Sequence, residues 1–130
     1  MDDTDDLAES VSACRVDAEA SATRLEAIVA SVEASAVREQ TKQFGALSSE
    51  TRYRIVRYLA DAETELCVCE LSPLLDVSDS AVSHALSDLV DVGLVTRRKD
   101  GRWRYYGTTE TAEALLDVLR NPEEPRKVAQ

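Results

Sequence analysis

Histidine is nearly missing from this chain: His84 is the only one among 130 residues. A nucleophilic enzyme built on a cysteine such as Cys67 needs a neighbouring base to activate it, and His84 is the sole histidine available. We therefore expect no enzyme. Cysteine is also sparse, with Cys14, Cys67 and Cys69 making an odd number that leaves one thiol over from any pairing. That count does not describe a stapled secreted scaffold, and reduced thiols suit a cytoplasmic protein. No apolar run approaches the length of a membrane span, so no membrane partner is expected. The start, Met1-Asp2-Asp3-Thr4-Asp5-Asp6, is acidic and lacks the basic and apolar segments of a signal peptide. What remains is room for one domain with a modest core.

Positive charge is scarce too. Fifteen Lys and Arg face 25 Asp and Glu, giving a net charge of −10, whereas a protein that sits on phosphates is expected to be basic. The distribution answers part of this objection. Residues 93–107 carry five cations, Arg97, Arg98, Lys99, Arg102 and Arg104, against the single carboxylate of Asp100. Only Lys42, Lys99 and Lys127 are lysines, a bias that resembles the proteins of salt-accumulating halophiles. At roughly molar salt the Debye length falls to about 3 Å, so distant carboxylates would barely repel DNA. An acidic mesophilic protein is the alternative.

Small or apolar residues recur at Leu7, Val11, Cys14, Ala18, Ser21, Leu25, Ile28 and Val32, spaced as a helix–helix seam requires. The pattern predicts one or two helices over roughly 5–43, poorly filled and in need of a partner, or else an ordinary amphipathic helix on its own core. Ser48 or Ser49 can cap a helix with Ile55, Val56 and Leu59 on its core face. A helix from Glu65 or Val68 to Leu75 follows. Asp76-Val77-Ser78 then forms a tight link into a helix from Asp79 to about Val92, closed by Gly93. Leu94–Arg98 and Arg102–Tyr106 are β-rich runs around Lys99-Asp100-Gly101, a hairpin signal. A last helix, about Glu110 to Arg120, shows Ala114, Leu115, Val118 and Leu119 as its apolar face. The expected fold is mostly α with a small β-hairpin, a winged helix-turn-helix. We divide it into an N-terminal dimerisation region (1–43), a DNA-binding domain (44–107), a C-terminal dimerisation helix (108–120) and a disordered tail (121–130).

The second helix of such a motif presents its N-terminal residues to base edges in the major groove. Ser78, Ser80, Ser83, His84 and Ser87 hold those positions, and none makes the bidentate arginine–guanine contact of the sharpest readers. The wing cations Arg97, Arg98, Lys99, Arg102 and Arg104 are expected on phosphates, the alternative being a solvated hairpin. No cofactor is required for this.

Cys67 and Cys69 stand about 200° apart on an ideal helix, so both can face one ion only if they sit at a loosened helix start. Three thiolates suit a soft three-coordinate centre such as As(III) or Sb(III) better than zinc, which takes four ligands. Simple packing of small residues and a redox switch are the alternatives, although a disulfide between residues i and i+2 is expected to be unfavourable. Cys14 lies on the seam and is either a third ligand or a packing residue.

Glu65-Leu66-Cys67-Val68-Cys69-Glu70-Leu71, followed by Ser78 through Leu86 and by Gly101-Arg102-Trp103-Arg104-Tyr105-Tyr106, resembles the ArsR/SmtB family of metal-responsive winged-helix repressors. The resemblance covers about Phe44 to Gly107. It implies a homodimer that holds operator DNA when metal-free and releases it on binding a thiophilic ion, with Cys67 and Cys69 as ligands. Cadmium, lead and zinc sensors of the same fold are the neighbouring alternatives. Departures are visible. The C-terminal helix has no histidine, Ser72 stands where arsenic-type members often place a third cysteine, and Ser87-Asp88 stands where many members carry arginine.

Overall fold

The computed structural model describes residues 18–121. They form α1 (Ala18–Ser31), α2 (Ala34–Leu47), α3 (Glu50–Ala62), α4 (Val68–Leu75), α5 (Asp79–Asp91), β1 (Val95–Asp100), β2 (Trp103–Thr108) and α6 (Glu110–Arg120). Two compact units divide the chain, Met1–Gln40 and Thr41–Gln130. The fold is the expected one, mostly helical with a two-stranded antiparallel hairpin. No described helix is long and apolar enough to cross a membrane.

In the first unit the predicted seam is only partly realised. Ser21 and Ala22 are buried, yet Ile28, Val29 and Val32 are about half exposed. Leu7, Val11 and Cys14 lie outside the described residues, as does the tail after Asn121.

The second unit is built around α3. Ser49 caps it, its hydroxyl accepting from the Arg52 amide at 3.3 Å, and Glu63 ends it in the left-handed region with φ 56°. Ile55, Val56 and Leu59 recur at helical spacing and are buried against Leu71 of α4, Val82, Leu86 and Leu89 of α5, Leu94 and Leu116 of α6. Between α4 and α5 the chain turns on Asp76, whose φ of 54° suits a short polar side chain that hydrogen-bonds locally. Ser78 then caps α5 by accepting from the Ala81 amide at 3.1 Å. Gly93, with φ 79°, closes α5 where any Cβ would be strained. Thr109 fastens the far end: its hydroxyl donates to the Gly93 carbonyl at 2.8 Å while accepting from the Ala112 amide.

Two details differ from the sequence reading. Asp100 pairs with Trp103, so β1 takes in Lys99 and Asp100 and the loop is Gly101-Arg102 rather than the expected Lys99-Asp100-Gly101, with Gly101 at φ 63°. A two-residue loop needs a positive φ at its first position, which glycine supplies. In α6, the buried side chains are Ala112 and Leu116 rather than the expected stripe; Leu115 is half-buried, Ala114 exposed, and Val118 and Leu119 are 54% and 57% exposed. The helix carries apolar residues on two faces, and its own core takes only one. The other joins Phe44, Leu47 and Tyr53 around a hollow of about 460 Å³.

Leu86 of α5 is fully buried within the core cluster that α3, α4, α5 and α6 share with Val95 and Tyr106 of the hairpin. Leu86→Ala should cost about 2–5 kcal/mol of unfolding free energy, read by urea denaturation. A loss well under 1 kcal/mol would place the core elsewhere.

Candidate thiol site and nucleic-acid interface

Cys67 precedes α4 as its N-cap, in extended backbone with φ −97° and ψ 170°. Its amide donates to the Glu70 carboxylate at 3.0 Å, which fastens the helix start from the Glu70 side. Cys69 lies inside the first turn. One extended and one helical residue turn the two side chains toward each other, and the sulfurs meet in a Cys67–Cys69 disulfide with a Cα separation of 5.4 Å, inside the usual range. Cys67 and Cys69 thus stand astride the helix start, with α4 beginning between them. Cys67 is 8% exposed, whereas Cys69 is open to solvent. Ser72, one turn beyond Cys69, has a buried hydroxyl without a hydrogen-bond partner among the described residues. Among the described residues no three Cys, His, Asp or Glu side chains gather as a metal site. Cys14 is outside them.

The segment ahead of the thiols is bound to the wing. Leu66 makes both backbone hydrogen bonds of an antiparallel bridge with Tyr106: its amide donates to the Tyr106 carbonyl at 2.9 Å, and the Tyr106 amide donates back at 2.8 Å. One residue earlier, the Glu65 carboxylate accepts from Arg98 Nε at 2.8 Å. That hydrogen bond and the Glu65 charge raise the Arg98 pKa above its ordinary value. Sequence reading missed Glu65 because its partner is 33 positions away, and no local spacing reports such a contact.

The five wing cations do not share one face. Residues opposite each other across a ladder point to the same side. By register, Arg97 stands opposite Tyr106 and Lys99 opposite Arg104, while Arg98 stands opposite Tyr105 on the other side. Lys99 facing Arg104 is a like-charge pair, unfavourable unless anions come between. Arg98 stacks on Tyr105 and Arg102 on Trp103, with 5.0 and 5.9 Å to the ring centroids. On α5, Ser78, Ser80, Ser83, His84 and Ser87 are all exposed. Asp88 is 3.6 Å from Arg52 and so ties α5 to α3.

A cavity of about 260 Å³ joins these parts. It is lined by Cys67 and Cys69, by Asp79 and Ser83 of α5, and by Arg102 and Arg104 of the wing, among others. The cysteine pair, α5 and the hairpin thus share one hollow.

The sequence profile of the bacterial regulatory protein, arsR family, matches residues 49–97, from the cap of α3 into β1. The chain is 56% identical over 95 residues to a putative arsenical resistance operon repressor ArsR of Halobacterium salinarum, 73% of this chain and 74% of that one. It is 48% identical over 88 residues to a second such protein of that organism, ArsR2, covering 68% and 74%. Among solved structures, HlyU from Vibrio cholerae aligns with a TM-score of 0.61 at 30% identity, over 70% of this chain and 97% of that one.

The exposure difference within the pair is testable. After reduction, Cys69 should be alkylated by iodoacetamide several-fold faster than Cys67, read by peptide mass spectrometry. Equal rates would mean that the α4 cap does not hold Cys67 in place.

Proposed function

Because the chain belongs to the arsR family of bacterial regulatory proteins, we propose that it represses transcription by binding double-stranded operator DNA as a homodimer. A thiophilic ion such as As(III) or Sb(III), held by the reduced pair Cys67 and Cys69, releases it. The observation that carries this reading is the shared cavity, in which the two sulfurs stand beside side chains of both DNA-reading elements. An ion bound there changes the surroundings of Ser83 and Arg104 directly, with no long path to cross.

The donor set fits a soft ion. The sulfurs already converge from one side of the helix start, so a dithiol can close on one centre with little backbone movement. Two thiolates leave a three-coordinate ion one ligand short, and we assign that place to Cys14, from the same or the partner protomer. The names of the two Halobacterium relatives refer to arsenical resistance, which favours As(III) over the cadmium, lead and zinc alternatives.

On the DNA side, Ser78, Ser80, Ser83, His84 and Ser87 face base edges, and Arg97, Arg98, Lys99, Arg102 and Arg104 meet phosphates. The opposed Lys99 and Arg104 support this, since a phosphate between them turns a repulsive pair into two attractive ones. For assembly, the apolar hollow around Phe44, Leu115, Val118 and Leu119 offers the second copy a surface; Phe44 is 64% exposed. Fully covering a side chain of that size contributes roughly 1.5–3 kcal/mol. We place the dimerisation surface there and in the N-terminal helices.

The Cys67–Cys69 disulfide favours one further reading, in which oxidation of the same pair by a disulfide or peroxide is the signal.

The central test uses Cys67→Ser with Cys69→Ser in reducing buffer. Wild-type protein should lose operator affinity about 5- to 150-fold on adding arsenite, the usual span of such coupling, while the double variant binds DNA normally and ignores arsenite. Release of the double variant at the wild-type arsenite concentration would refute the thiol reading. Release of wild type by diamide alone, with arsenite inert, would establish the redox alternative. Separately, Val118→Asp with Leu119→Asp should shift the protein to monomer in sedimentation and reduce operator affinity, because two half-sites need two linked readers. A stable dimer in that variant would move the interface off α6.

A further inference from the structure

Among the described residues, Arg98 is the one wing cation that is ion-paired. Its Nε donates to Glu65 at 2.8 Å, its Nη1 lies 3.8 Å from Asp100, and its guanidinium rests on the Tyr105 ring. Arg97, Lys99, Arg102 and Arg104 stand on the same hairpin without such a carboxylate. Glu65 does not belong to the wing. It sits two residues before Cys67, on the short segment that Leu66 splices onto the edge of β2. The carboxylate closest to the thiols along the chain on that side therefore grips a cation intended for DNA.

We infer that Glu65 is the positioning residue that couples the thiol pair to the wing, by competing with a DNA phosphate for Arg98. A guanidinium whose Nε is taken by one carboxylate, with a second 3.8 Å from Nη1, has its side-on Nε/Nη fork closed to a phosphate and part of its charge already neutralised, so only the end-on Nη pair is left to contact DNA. The pair is solvent-exposed, hence weak enough to be given up when the segment is free to move. Closing Cys67 and Cys69 on one ion pins the residues that follow Glu65 and keeps the carboxylate on Arg98. An ion at the thiols then stabilises the DNA-free state by that difference, and operator DNA weakens ion binding by the same factor. The competition itself needs no ion; its link to the inducer rests on the thiol reading above.

The experiment measures affinity for the tightest duplex selected by the wild-type protein from a random-sequence library, against salt, with and without arsenite. Without arsenite, Glu65→Gln should bind about two- to five-fold more tightly, the range expected from freeing an exposed pair. Its log–log salt slope should steepen by up to about one unit, since one more cation reaches a phosphate. Its arsenite-induced loss should shrink by a similar factor. Glu65→Asp, which keeps the charge on a shorter stem, should fall between. Adding Arg98→Ala to Glu65→Gln should abolish both gains. An unchanged slope and unchanged arsenite response in Glu65→Gln would overturn the proposal, as would gains that survive removal of Arg98. If Cys67→Ser with Cys69→Ser still responds to arsenite while the ion-free slope of Glu65→Gln steepens, the thiol reading fails and the Glu65–Arg98 competition stands.

Discussion

The two-bond bridge between Leu66 and Tyr106 is the contact on which the arrangement depends. A strand edge exposes amides and carbonyls that must find partners, and here one residue of the loop before α4 supplies them. That single pairing fixes the height at which the chain enters α4, and so puts Cys67 in extended backbone and Cys69 in the first turn. It also brings Glu65 alongside β1. Without it Cys67 would cap a freely entering helix, and the hairpin would touch the core only through Val95 and Tyr106.

Much of this unit was legible because its signals are local. Ser49 and Ser78 each accept from the amide three residues on, a capping geometry that depends on residue type and spacing alone, and Thr109 does the same for α6 although its role was not read from the sequence. Asp76 and Gly93 take the left-handed backbone that their side chains permit. The α6 stripe misled because periodicity reports apolarity and not destination; Val118 and Leu119 are apolar at helical spacing and still exposed. Lys99 and Asp100 joined the strand instead of the loop because the register is set by cross-strand pairing rather than by Asp100-Gly101 alone. For the site, the pairing of Cys67 with Cys69 was legible, but their closure into a bridge required knowing that the helix begins between them. The Glu65–Arg98 pair was invisible for want of any local pattern. Cys14 and its role lie outside the described residues.

Electrostatically the protein divides its labour. Along the sequence its surplus acid falls outside residues 93–107, and among the described residues no carboxylate is ion-paired with Arg97, Lys99, Arg102 or Arg104, while Arg98 is. At high ionic strength only contacts of a few ångströms persist, so this local placement matters more than the net charge.

The unequal exposure of Cys67 and Cys69 would give the proposed ion capture an order in time. On the proposed reading, an ion arriving from solvent would meet Cys69 first, in a bimolecular step whose rate follows concentration. Cys67, shielded beneath the cap, closes the chelate afterwards in a step that does not depend on concentration. Escape reverses the order, and the buried bond must open before the outer one can let the ion go. On the proposed reading, the α4 cap therefore acts as a clock: it sets how long a regulator stays off its operator after the supply of ion has ended.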